Sequence, residues 1–132
     1  MIAAVDPGTE KTGIAVLKEN GRLMMKEIIS TVNLERPILN ILEEYDISVI
    51  VLGNGTNHKK VRARIQNLID VSGHPMPIEL VDEKYTTEMG EKLYWKENPP
   101  KGLRRLLPVG FQTVPVPIDD YVAWIIGNIY LG

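Results

Sequence analysis

The sequence predicts an α/β domain: a mixed sheet of about five strands, the first three antiparallel, with helices on both faces. Three observations carry this. Apolar segments follow one another early in the chain, separated only by turn residues. From Ser48 onward, strand-like and helix-like segments alternate. The run "SVIVLGN" is continuously apolar and ends on a glycine, as a strand covered on both faces does.

In order, "MIAAV" and "TGIAVL" read as two strands joined by the turn "DPGTEK", and "RLMMKEIISTV" reads as a third. "NLERPILNILEEYD" places Leu34, Ile38, Ile41, Leu42 and Tyr45 near helical spacing, with Asn33 as the expected N-cap. "SVIVLGN" is the fourth strand. "HKKVRARIQNLIDVSG" puts Val61, Ile65, Leu68 and Ile69 on one helical stripe and stops at Gly73. "PIELVDEKY" is a further strand. "TTEMGEKLYWKEN" is a helix capped by Thr86 or Thr87 and stopped by Pro99 and Pro100. "GLRRLLPVGFQTVPVP" is irregular, and "IDDYVAWIIGNIYLG" closes as a helix. The order is β-β-β-α-β-α-β-α, a loop, then α.

The 132 residues fit one domain over 1–132, and 44% hydrophobic residues supply a core for it. No apolar run approaches the roughly 18 residues of a membrane span, and no basic segment precedes an apolar one at the N-terminus. The chain has no cysteine, which excludes disulfides, thiolate zinc sites and cysteine nucleophiles and is consistent with a cytoplasmic protein. The net charge is -2, so any polyanionic partner must be met by a local concentration of basic residues.

The acids carry the chemistry. Asp6 ends an apolar strand before Pro7 and Gly8. Taken alone it reads first as a turn residue, since Asp-Pro-Gly is a good turn tripeptide, with a metal ligand or a phosphate-cradling loop as the functional alternatives. Asp82 and Glu83 end another apolar strand just before a helix. Asp119 and Asp120 start the last helix, where Asp is a favoured cap. Asp119 shares a face with Val122, Ala123 and Ile126, a stripe that the helix should bury. Asp120 falls off that stripe and fits a plain cap better. Acids at two strand ends and one helix start can converge at one sheet edge. Clustered carboxylates repel unless a cation neutralises them. Mg²⁺ takes such oxygen ligands along with waters and substrate phosphate, and a pair of ions about 4 Å apart would stabilise a phosphodiester's attacking and leaving oxygens.

"VDPGTEKTGIAV", "VIVLGNGTN", "VDEKYTTEMGEKL" and "PIDDYVAWIIGNIYL" resemble, in order and spacing, the YqgF proteins. These are also called RuvX or Holliday-junction-resolvase-like proteins, and they are related to RuvC. The resemblance covers nearly the whole chain. It implies an RNase H-like fold and a nuclease dependent on Mg²⁺ or Mn²⁺. Asp6 resembles the first catalytic, metal-binding acid and Glu83 the second, with Asp82 as its alternative. Asp119 resembles the third, with Asp120 beside it. Gly8 and Gly13 match the family's turn glycines. The chain departs from the family in carrying Lys84 where Arg is usual, Lys11 where Arg is frequent, Gly53-Asn54-Gly55 in place of Gly-x-Pro, and "TVPVPID" without basic residues before the last acid. The implied activity is 5′-end maturation of the small-subunit (16S) ribosomal RNA precursor, with resolution of Holliday junctions or other branched DNA as the alternative. No membrane partner is implied, and assembly as a homodimer is left open.

Lys59, Lys60, Arg62 and Arg64 lie within six residues with no acid among them. A solvated helix face is the commoner meaning of such a run, and a phosphate contact surface is the functional one. Lys84, Arg104 and Arg105 add charge, the last two in the irregular segment. Tyr85, Tyr94, Trp95 and Phe111 are aromatics that can stack on bases or pack at the core rim. His58 and His74 sit in loop-like contexts and are not expected to be catalysts. Two other functions compete with a nuclease. "DPGTEKTG" also resembles the first phosphate loop of the actin, hexokinase and sugar-kinase fold, but that group clamps ATP between two such domains and this chain has one. A non-catalytic nucleic-acid-binding module on the same fold is the other. Whether the carboxylates of Asp6, Glu83 and Asp119 meet discriminates these readings.

Overall fold

The computed structural model describes residues 1–108 and 112–132, with side chains described throughout except at Leu103 and Arg104. Phe111 and the Arg104 side chain therefore lie outside the described residues. Three strands form first: β1 (Ile2–Asp6), β2 (Lys11–Leu17) and β3 (Leu23–Ser30). Helix α1 (Glu35–Glu44), strand β4 (Val49–Gly53), helix α2 (His58–Ser72), strand β5 (Ile78–Val81), helix α3 (Thr86–Glu97) and helix α4 (Asp119–Leu131) follow. The sheet order is β3-β2-β1-β4-β5. β1 pairs antiparallel with β2 and β2 with β3, whereas β1–β4 and β4–β5 are parallel. The expected mixed five-stranded sheet is the observed one.

Alternation sorts the strand side chains into two layers. Ala3, Val5, Ile14, Val16, Ile50 and Leu52 face α1 and α2, which contribute Ile38, Ile41, Leu42, Val61, Ile65, Leu68 and Ile69. Ile2, Ala4, Ala15, Leu17, Val49 and Val51 face α4, which contributes Val122, Ala123 and Ile126. β4 is buried along its whole length, which is why its sequence shows no polar phase. The alanines Ala4, Ala15 and Ala123 are fully or almost fully buried, so α4 rides close on the centre of the sheet. Helix α3 packs outside α4. Among the described residues, no helix is long and apolar enough to cross a membrane.

Element ends differ from expectation where side chains far away in sequence take over. Asn33 does not cap α1. Thr31–Asn33 forms a 3-10 turn, and Leu34 precedes the helix with no side-chain cap. That turn is fixed from outside. The Thr31 hydroxyl shares a 2.7 Å hydrogen bond with the buried Thr12 hydroxyl and donates to the Gly8 carbonyl at 3.0 Å. β5 stops at Val81 rather than running on to Tyr85, because Asp82 Oδ1 accepts from the Lys84 amide at 3.0 Å and turns the chain. Neither Thr86 nor Thr87 caps α3; that position belongs to Tyr85 in a left-handed conformation. Gly102–Leu106 forms a 3-10 turn inside the segment expected to be irregular.

Candidate active site

β1, β4 and β5 are parallel, so their carboxyl ends open at one edge of the sheet, where open α/β sheets place their sites. Asp6 is the last residue of β1 and lies opposite Gly13 of β2. Its turn is anchored at the Gly8 carbonyl, which accepts from the Thr31 hydroxyl and, at 2.9 Å, from Asn57 Nδ2. Glu83 follows the end of β5. Its amide donates to Asn54 Oδ1 at 3.0 Å, and the Asn54 amide donates to the Val81 carbonyl at 3.0 Å, so β4 continues to guide the chain past the last ladder pair.

Two glycines make room for this acid. A Cβ on Gly53 would stand 2.5 Å from the Glu83 carboxyl carbon, and one on Gly55 would stand 2.0 Å from Glu83 Oε2. Gly53-Asn54-Gly55 is therefore the bed on which the Glu83 carboxylate lies.

Asp6 and Glu83 meet. Burial pushes the Asp6 carboxyl up to about 8, helped first by a hydrogen bond to Glu83 and then by the negative charges of Glu83 and Asp119. Asp119 acts on Asp6 through its charge. It is brought near because its carbonyl sits against Gly13, the β2 partner of Asp6: a Cβ on Gly13 would lie 1.8 Å from that oxygen. Gly13 is thus not a turn glycine. It lies inside β2 and leaves the gap that α4 enters. Gly8 does lie in the turn, where a Cβ would stand 2.0 Å from the Lys11 carbonyl oxygen.

The remaining acids separate from the site. Asp82 is exposed and spent on its local turn, so Glu83 is the acid that faces Asp6. Asp120 is not a cap. It is buried at 9% exposure, more so than half-buried Asp119, and Lys26 Nζ of β3 donates to its Oδ2 at 2.6 Å. The same ammonium lies 4.0 Å from the centroid of the Tyr121 ring. The helical stripe misled here because α4 is enclosed between the sheet and α3, so residues on more than one face are buried.

A cleft of about 370 Å³ opens over the pair, lined by Asp6, Gly8, Thr9, Asn57, Glu83 and Thr87 among others. Its donors are carboxylates, hydroxyls and amides, a hard-oxygen set that suits Mg²⁺ or Mn²⁺. Among the described residues, no three His, Asp or Glu side chains are placed to hold a metal ion together, so the expected meeting of three carboxylates is found only for Asp6 and Glu83, with Asp119 acting at longer range through its charge. Mg²⁺ does not require one, since it is commonly held by one or two carboxylates with waters and substrate phosphate completing the shell.

The chain matches the family model described as "RuvX: Holliday junction resolvase" over residues 1–105. The chain belongs to the RuvX family. No curated protein matches it by sequence. Two solved structures show the same fold. RuvC of Thermus thermophilus has a TM-score of 0.55 at 14% identity, covering 95% of this chain and 88% of that one. The Fowlpox virus resolvase, solved with its substrate Holliday junction DNA, has a TM-score of 0.60 at 16% identity, covering 99% of this chain and 98% of that one. The RNase H-like fold and the nuclease family expected from the sequence are both found. The RuvX match contains Asp6 and Glu83 and ends before Asp119.

The basic run of α2 divides. Lys59, Lys60 and Arg62 are exposed. Arg64 turns toward α1: its Nε donates to Glu35 Oε2 at 2.7 Å, its NH1 to the Thr31 carbonyl at 2.7 Å, and its NH2 to the Val32 carbonyl at 3.1 Å. The guanidinium also holds the Glu35 carboxyl below its ordinary value. Arg64 is thus a brace between helices rather than a free cation, which the spacing of the run could not show because Glu35 is remote in sequence. Neutralising Lys59, Lys60 and Arg62 together should weaken nucleic-acid binding and flatten its salt slope by up to about three phosphate contacts. Arg64→Ala should instead lower stability by about 1–2 kcal/mol and leave the slope unchanged. Filter binding across a salt series and urea melts would separate the two; an unchanged slope in the triple variant would return α2 to a solvated face.

Proposed function

We propose that this RuvX chain is a cytoplasmic, divalent-metal-dependent nuclease that hydrolyses phosphodiester bonds in a structured nucleic acid, with Asp6, Glu83 and Asp119 as its acids. The observation that carries this is the Asp6–Glu83 carboxyl pair at the floor of an open polar cleft, with the charge of Asp119 bearing on it. Two carboxyl groups pressed together are unfavourable unless a proton or a cation lies between them.

Asp6 and Glu83 are the first candidates to hold Mg²⁺ or Mn²⁺, with Asp119 adding negative charge from α4. Such an ion, when bound, supplies charge for the phosphate oxygens and acidifies water for attack. The chain's own part is placement. Asn54 and the two glycines fix Glu83. The twice-bonded Gly8 carbonyl fixes the turn after Asp6. The Thr9 and Thr87 side chains edge the cleft and can donate to phosphate oxygens. Lys59, Lys60, Arg62, Lys84 and Arg105 are exposed and available to the backbone of a longer substrate.

The family description favours a four-way DNA junction as substrate, and the resemblance in the sequence adds the 5′-extended precursor of small-subunit ribosomal RNA. One assay offers both, with plain duplex and single strands as controls, in Mg²⁺, Mn²⁺ or chelator. Metal-dependent cleavage of the junction or the precursor is expected, with duplex left intact. Binding without cleavage of any substrate in either metal would make the chain a non-catalytic module.

A further inference from the structure

Tyr85 has features that the carboxylate site does not use. It is the one non-glycine residue with positive φ among the described residues, at 68°. That conformation is disfavoured for a bulky side chain and persists where the surroundings enforce it. Here they do. The Thr86 amide and hydroxyl both donate to the Glu83 carbonyl, at 2.9 and 2.8 Å, and the Met89 amide donates to the Tyr85 carbonyl at 3.0 Å. The turn that aims Glu83 into the cleft therefore also turns the Tyr85 ring outward, where it is 65% exposed. Lys84 Nζ lies 5.3 Å from the ring centroid, and Thr86 and Thr87, the next residues, line the cleft itself.

A large exposed ring next to a cation, at the lip of a phosphodiester-sized cleft, has the chemistry of a base platform. An aromatic face gains by stacking on a base that has lost its neighbour. A base inside a duplex is already stacked on both sides and offers it nothing. The cation beside the ring suits the phosphate that joins that base to the next.

We propose that Tyr85 stacks on a nucleobase left unpaired beside the scissile phosphate, with Lys84 on the adjoining phosphate, so that this residue selects branched or single-strand-extended substrates over duplex. The proposal rests on the nuclease reading.

The test uses the full chain with Ca²⁺ in place of Mg²⁺, read before any cleavage. The probes are a four-way DNA junction, a 5′-extended RNA hairpin and a plain duplex. In the first two, 2-aminopurine replaces the base at the branch or at the start of the extension. Tyr85→Gly accepts the positive φ, so its urea midpoint should equal or exceed wild type. Its affinity for the branched or extended probe should fall about tenfold, as loss of one stacked base does, with duplex affinity within twofold. The wild-type change in 2-aminopurine fluorescence should vanish in Tyr85→Gly and persist in Tyr85→Phe. Retained affinity and fluorescence change in Tyr85→Gly would overturn the proposal and leave the nuclease reading standing, as would an equal loss on duplex. Failure of the wild type to bind any probe would remove both.

Discussion

Asp6→Asn is expected to abolish metal-dependent cleavage while making the metal-free protein more stable at alkaline pH. Asn keeps the size of the side chain and its turn hydrogen bonding but cannot carry charge. On the proposed function, loss of an acid that would hold the cation removes several kcal/mol of transition-state stabilisation, so cleavage should fall by at least about 100-fold. The stability effect follows from proton counting. The Asp6 carboxyl is pushed up from 3.8 to about 8 in the folded chain. Between those values the folded state holds a proton that the unfolded chain has released. Wild-type stability therefore falls as pH rises from about 4 to about 8, and this fall is complete above pH 8. Asp6→Asn lacks that fall. The two proteins should be equally stable near pH 4, and the variant should gain on the order of 1–2 kcal/mol by pH 8.5, solvent screening at a half-buried carboxyl allowed for. In melts with chelator this is a gain of about 3–8 °C. Parallel stability curves from pH 4 to 9, together with retained cleavage, would reduce Asp6 to a turn residue.

Gly13→Ala should be among the most destabilising single-methyl changes in the chain. The added Cβ would stand 1.8 Å from the Asp119 carbonyl oxygen, 2.3 Å from its carbonyl carbon and 2.9 Å from the Asp120 amide nitrogen. All three are backbone atoms at the start of a helix, so no side-chain rotation relieves the overlap. Gly13 is also paired on both sides, to Asp6 and to Ile28, so β2 cannot bow away cheaply. Ordinary overpacking costs about 1–3 kcal/mol, and this overlap should exceed that range. Relief requires α4 to lift from the sheet, which would carry Asp119 away from Asp6 and loosen the Lys26–Asp120 ion pair. A urea midpoint within error of wild type would show that the start of α4 does not press on Gly13. Surviving protein should cleave poorly even where it is folded.

The sheet was legible because its residues report their own surroundings. β4 is apolar at every position, and α2 carries its stripe of Val61, Ile65, Leu68 and Ile69, so each announced its layer without help from the rest of the chain. Asp6 and Glu83 were legible by resemblance and by their places at strand ends. What stayed hidden depended on partners far along the chain. Asp120 reads as a cap until Lys26, on another element, is found beneath it. Arg64 reads as one of four free cations until Glu35 is seen to hold it. Gly13 reads as a turn glycine because the backbone that fills its missing side chain belongs to α4. Asp82 and Glu83 could not be told apart because the phase of a strand end is settled by the next hydrogen bond, here from the Glu83 amide to Asn54.

The place of α4 in the chain also sets a timetable. Its helix is made after every strand, yet it covers the middle of the sheet with Val122, Ala123 and Ile126 and sets Asp119 against Gly13. While the protein is being synthesised, the strands and the Asp6–Glu83 pair emerge first, and one side of the sheet stays bare until α4 has left the ribosome. A nascent chain therefore lacks both the lid on its second core layer and the charge that Asp119 brings to bear on Asp6. The second core layer and the surroundings of Asp6 are thus completed together, in one late step that waits on a single helix.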